Sequence, residues 1–190
     1  IEGLPPEKRA LLLRRLRQKQ EAQAKQARIE KRADLSAYPL SYAQQRMWFL
    51  NQIEPDSPFY NIPGALRLHG ALDINALTKA LNAIVQRHEV MRTCLRTENG
   101  APVQDIAEEQ ILSVPVIDLR DLAEEEQEAQ VLAIAREEGL WNFDLQRGPL
   151  IRVCLLQLDE ADFVLLVTLH HIIADGWSMG VLITELQSAY

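Results

Sequence analysis

Leu165-Leu166-Val167-Thr168-Leu169-His170-His171-Ile172-Ile173-Ala174-Asp175-Gly176-Trp177-Ser178 sets two histidines, an acid and a glycine directly behind an apolar run. Residues 163–169 are too few to span a membrane and are rich in Val and Leu, which predicts a strand buried on both faces. Side chains alternate along a strand, so His170 and His171 are expected on opposite sides of the sheet, one a candidate reagent and the other a brace. Asp175 and Gly176 break the strand and open a helix from about Trp177, with the Asp175 carboxylate placed to cap its exposed N–H groups. A histidine pair with a capping aspartate also suits a purely structural strand end, because titratable groups mark sites only statistically. A metal-dependent hydrolase is disfavoured, since adjacent strand histidines cannot both reach one ion.

Outward from this stretch, residues 151–158 and 163–171 form a hairpin turned by Asp159-Glu160-Ala161-Asp162, and the helix behind Trp177 is expected to return Val181, Leu182, Leu186 and Tyr190 to the sheet. Asn99-Gly100, between residues 93–97 and 102–106, is a strong hairpin signal. Residues 114–117 read as a short strand, and Asp121-Leu122-Ala123-Glu124 as the capped start of an acidic helix that closes at Gly139. A helix after Asp73 carries Ile74, Leu77, Leu81, Ile84 and His88 on one apolar stripe, where a histidine is more often a satisfied core residue than a reagent. Residues 65–69 alternate Leu66 and Leu68 inward with Arg67 and His69 outward. Ser41 and Gln44 form a capping box that opens a helix with Ala43, Met47 and Leu50 on one face and Arg46 off it. The expected class is α+β, a two-layer sheet-and-helix sandwich.

The 190 residues are 47% hydrophobic and 25% charged, enough to bury one core. Residues 1–33 hold ten Lys/Arg against four Asp/Glu, while the remainder holds ten against 23. An acidic body disfavours nucleic acid as a partner. The basic stretch 1–34 is read as a helical linker or docking segment, and with no Trp or Phe beside Leu12, Leu13 and Leu16 it is a poor membrane anchor. Cys94 and Cys154 sit in strand-like segments without metal spacing and are expected as buried free thiols, which suits the cytoplasm. No signal peptide or transmembrane run is legible, and a start at Ile1 without methionine suggests a piece of a longer protein.

Several motifs carry a family resemblance. His170-His171-x-x-x-Asp175-Gly176 with Trp177-Ser178 resembles the signature of the condensation domains of nonribosomal peptide synthetases, whose core is shared with chloramphenicol acetyltransferase-like acyltransferases. Ser41-x-Ala43-Gln44-x-Arg46-x-Trp48-x-Leu50 resembles the family's first motif at every fixed position. Arg87-His88-Glu89-x-Met91-Arg92-Thr93 resembles the second, with Met91 for Leu, a swap that conserves volume. Tyr60-Asn61-Ile62-Pro63 and Phe143-Asp144-Leu145 with Gly148-Pro149-Leu150 are similar to further family stretches. The resemblance covers residues 35–190 and implies a chloramphenicol acetyltransferase-like N-terminal lobe, with a C-terminal lobe of similar size absent after Tyr190.

What the resemblance implies is amide formation between a donor acyl thioester and an acceptor aminoacyl thioester, each on a carrier protein. His171 is assigned the catalytic role, as general base or as a hydrogen bond that orients the amine, because imidazoles titrate near neutrality. His170 braces the strand end and Gly176 leaves room for backbone amides. Asp175 holds the loop through an arginine, for which Arg92 is the candidate, and the carboxylate partner of Arg92 is either Asp175 or a group of the missing lobe. Arg46, Trp177 and Ser178 complete the site structurally. No cofactor of its own is implied. The phosphopantetheine arms of upstream and downstream peptidyl carrier proteins enter as substrate tethers. The motif looks most like the subtype that joins an L-configured donor to an L-configured acceptor. The alternative is a non-catalytic folding or docking fragment that binds a carrier protein, or self-associates through an exposed lobe interface.

Overall fold

The computed structural model describes residues 38–190; the basic segment expected over residues 1–34 and the start of the body near Leu35 lie outside the described residues. In chain order the elements are β1 (Tyr38–Pro39), α1 (Tyr42–Ile53), β2 (Asn61–His69), α2 (Ile74–Arg87), β3 (Thr93–Glu98), β4 (Ala101–Ile106), β5 (Val116–Asp118), α3 (Glu124–Gly139), β6 (Ile151–Asp159), β7 (Asp162–His170) and α4 (Gly176–Ala189). The expected α+β class is what forms. One sheet has the order β1-β4-β3 and the other β2-β7-β6-β5.

The position of β7 explains its composition. It runs antiparallel to β2 on one side and β6 on the other, with Leu165 opposite Leu66 and Leu155. Its odd-numbered residues Phe163, Leu165, Val167 and Leu169 pack into the main core with Leu77, Leu81, Ile84 and Val85 of α2 and Leu182 and Leu186 of α4. Its even-numbered Val164 and Leu166 pack into a smaller core with Val131, Ile134 and Ala135 of α3. A strand covered by helices on both faces has no position for an exposed polar side chain, hence the unbroken apolar run. Each such Leu or Val contributes up to about 1.5–3 kcal/mol relative to exposure.

Local chemistry sets the element ends. Ser41 and Gln44 close the capping box of α1, and the Asp73 carboxylate accepts the Ala76 N–H to start α2. Asn99 and Gly100 take φ of 51° and 81°, the paired positive values a tight two-residue hairpin needs. His88 ends α2 instead of lying on its apolar stripe; its Nε2 sits 2.8 Å from Glu185 Oε2 on α4.

Other expectations change at their margins. β5 forms at Val116–Asp118 and pairs parallel with β6, because the Leu155 N–H donates to the Pro115 carbonyl, so the edge backbone follows β6. The cap of α3 is Ala123 without a side-chain bond, not Asp121; Gln127 anchors the first turn by donating to the carbonyls of Leu119 and Leu158. On α4, Leu182 and Leu186 reach the core, whereas Val181 and, just past the helix, Tyr190 stay about half exposed. Cys154 is buried and Cys94 half-buried, and burial pushes both thiols up, Cys154 to about 11.

Candidate active site

His170 closes β7, and its ring meets Phe143 edge-on, centroids 6.1 Å apart, with Tyr60 at 6.4 Å. The Phe143 loop is pinned beside it. Asn61 donates to the carbonyls of Gly139 and Trp141, and the Arg152 guanidinium lies 3.6 Å over the Trp141 ring while pairing with Glu138 through two bonds. His170 is 3% exposed. Burial first, and the neighbouring His171 charge second, lower its pKa to about 4, so the ring is neutral at pH 7. Its Nδ1 accepts the Ile172 N–H at 3.1 Å, which leaves the ring proton on Nε2. Its carbonyl accepts the Ile173 N–H at 3.0 Å. His170 thus folds the turn that follows it.

His171 begins that turn and is exposed, so the two histidines do diverge. Its backbone N–H donates to the Tyr60 carbonyl at 2.7 Å. With Asp175 and Ser178 it lines a cleft of about 350 Å³ whose other wall is the start of α1, through Ser41, Ala43, Gln44 and Met47, with Val90 beside it. The Gln44 amide crosses the cleft edge and donates to the Ile172 carbonyl at 3.3 Å.

Asp175 caps α4. Its Oδ1 accepts the Ser178 N–H at 2.8 Å and the Ser178 hydroxyl at 2.6 Å, while the Ser178 Oγ accepts the Asp175 N–H. These bonds from Ser178, followed by the nearby His171, hold the carboxyl below the usual carboxylate range. The expected ion pair with Arg92 does not form. Arg92 donates instead to the carbonyls of Ala107 and Glu108, because the turn at Glu89–Arg92 leaves its guanidinium at the end of β4. Arg46 is exposed on α1, outside the cleft lining. Gly176 faces open space, where an added Cβ would meet nothing within 4 Å. Trp177 is 83% exposed and lines a second, apolar cleft of about 160 Å³ with His88, Val90 and Val181. Among the described residues no three His, Cys, Asp or Glu side chains gather as metal ligands.

The profile of the Condensation domain family matches residues 35–190. This chain belongs to the condensation domain family. It is 48% identical over 152 residues to one of the linear gramicidin synthase proteins of Brevibacillus parabrevis, covering 80% of this chain and 2% of that protein. It is 39% identical over 186 residues to phosphinothricin tripeptide synthetase PhsC of Streptomyces viridochromogenes, covering 98% of this chain and 17% of that protein. Among solved structures, the starter condensation domain of rhizomide synthetase RzmA superposes with a TM-score of 0.73 at 27% identity, over 80% of this chain and 36% of that one. The chain therefore spans a small part of the curated relatives it matches.

Within this condensation domain, sequence reasoning placed His170, His171, Asp175 and Ser178 together but missed three residues that shape the site. Gln44 is legible as a cap and as a fixed position of the first motif, but not as the residue whose amide reaches the histidine turn. Tyr60 and Phe143 stood in family-like stretches without an assigned role, and only the fold brings their rings to His170. No helix among the described residues is long and apolar enough to cross a membrane.

Proposed function

We propose that this chain is the histidine-bearing lobe of an enzyme that joins two carrier-bound groups by an amide bond in nonribosomal peptide synthesis. The observation that carries the reading is His171, an exposed imidazole behind a buried strand, opening on a cleft in a chain whose residues 35–190 match the condensation family. The amine of an aminoacyl thioester attacks the carbonyl carbon of an acyl thioester. The C–N bond forms, the C–S bond breaks, and the thiolate leaves on the donor arm. The amine proton passes to that thiolate, with His171 either taking it in transit or orienting the amine by a hydrogen bond. His170, neutral and buried, braces the turn, and Asp175 with Ser178 fixes the start of α4.

Upstream and downstream peptidyl carrier proteins present the substrates on phosphopantetheine arms, in the cytoplasm, and residues 1–34 act as linker or docking segment. The sequence His170-His171-Ile172-Ile173-Ala174-Asp175-Gly176-Trp177-Ser178 supports an L-configured donor and acceptor. Positioning of two tethered substrates is worth up to about 7–11 kcal/mol of barrier. The walls that supply it are contributed by a second lobe, so the 190-residue polypeptide alone is inactive.

The test uses a whole synthetase carrying this sequence, with an acyl-loaded donor carrier and an aminoacyl-loaded acceptor carrier, and follows product by intact-protein mass spectrometry. His171→Ala is expected to lower the rate by about 10²-fold or more with little change in folding. A wild-type rate in that variant, or no amide product from the unaltered protein, overturns the assignment.

A further inference from the structure

The histidine turn is held from outside by an amide relay that begins in the other sheet. Gln104 on β4 donates from Nε2 to the Pro39 carbonyl at 3.0 Å, which turns its Oε1 toward Gln44. Gln44 on α1 accepts the Ser41 N–H on its own Oε1 at 3.0 Å, which leaves both Nε2 hydrogens to donate. One goes to Gln104 Oε1 and the other to the Ile172 carbonyl, each at 3.3 Å. Both amide orientations are thus set at their outer ends, and the bonds between them follow without conflict.

Ile172 directly follows His171. Its N–H is held by His170 Nδ1 and its carbonyl by Gln44, while the N–H of His171 itself is held by the Tyr60 carbonyl. An exposed side chain on a turn takes its direction from the backbone beneath it, and here three bonds from separate elements define that backbone. Gln44 lines the same cleft as His171.

We infer that Gln44 is a positioning residue for His171, with Gln104 keying it to the three-stranded sheet. The inference rests on the amide-forming role given to His171 above. The capping bond and the relay bonds leave Gln44 by different atoms, so one substitution separates them. In Gln44→Glu the carboxylate still accepts the Ser41 N–H, as a capping box allows, but it presents oxygen to the two carbonyl-type acceptors that Nε2 served. Gln104→Met removes the relay from its far end and leaves the α1 cap untouched.

The experiment compares unaltered protein, Gln44→Glu, Gln104→Met and His171→Ala in the whole synthetase, by steady-state amide formation, thermal melting and amide hydrogen exchange over residues 170–176. Gln44→Glu is expected to melt near the unaltered protein, lower kcat about 10-fold or more with KM within about twofold, and speed exchange in that segment but not in residues 151–169. Gln104→Met is expected to change the same quantities in the same direction by less. Unchanged exchange in both variants, or faster exchange with unchanged kcat, overturns the inference. If Gln44→Glu melts far lower, Gln104→Met decides by the same measurements. If the unaltered protein makes no amide, or His171→Ala keeps its rate, the positioning claim falls with the reading it rests on. Faster exchange in Gln44→Glu then still marks that outcome as a failure of the amide-forming role and not of the relay geometry.

Discussion

Replacing His170 by Asn is expected to flatten the acid side of the stability curve. The ring is buried and titrates at about 4, against 6.5 for an ordinary histidine. Between those values the unfolded chain binds a proton that the folded chain does not, so stability falls as the pH drops from about 6.5, and the loss owed to this group is nearly complete by about 4. A gap of that size corresponds to about 3 kcal/mol, with a slope of at most about 1.4 kcal/mol per pH unit. Asn keeps an acceptor for the Ile172 N–H but neither titrates nor fills the space against Phe143 and Tyr60. The variant should therefore be less stable by about 1–3 kcal/mol at pH 7.5, and the difference should shrink toward pH 4. Urea unfolding followed by tryptophan fluorescence at several pH values between 7.5 and 4 reads both quantities. Parallel curves for the two proteins would refute the argument, because carboxylates common to both cannot produce a histidine-dependent convergence.

Gly148→Ala places a Cβ within 2.6 Å of Cys94 Sγ at a backbone φ of +56°, so a loss of at least about 2 kcal/mol is expected in chemical unfolding. Adding Cys94→Ala should recover part of it, and no recovery would show that the clash is not the cause. Asp175→Ala should melt lower than Asp175→Asn at pH 7, since Asn retains the cap of α4. The native carboxylate adds stability that is present above the unfolded pKa and is lost as the pH falls through the lowered folded value, so melts at pH 3 should bring the native chain closer to Asp175→Ala. The purified 190-residue chain should form no amide product with loaded carriers, and sedimentation should show concentration-dependent self-association, because Tyr42, Phe59 and Trp177 are more than four-fifths exposed. Product above the level of its own His171→Ala variant would refute the first, and a monomer at all concentrations the second.

The elements legible in the sequence are those that close within a few residues. The capping box at Ser41 and the Asp175 cap each close within one helical turn, the Asn99-Gly100 hairpin needs only two positive φ values, and the apolar run of β7 ends on a buried His170 with an exposed His171 directly behind it. The tertiary structure alone decided partners that lie far apart in the chain. His88 meets Glu185 across 97 residues, and Gln44 reaches the Ile172 carbonyl across 128. Arg92 shows the same limit from the other side. Its charge demanded oxygen acceptors, for which the family resemblance offered Asp175 or a group of the missing lobe, but the fold ends β4 beside it and supplies the carbonyls of Ala107 and Glu108. The edge strand β5 likewise takes its register from β6, which lies beyond the whole of α3 in the chain. Local geometry follows from side-chain chemistry and backbone sterics, whereas the choice among equally suitable distant partners depends on the path the whole chain takes to bury its apolar faces.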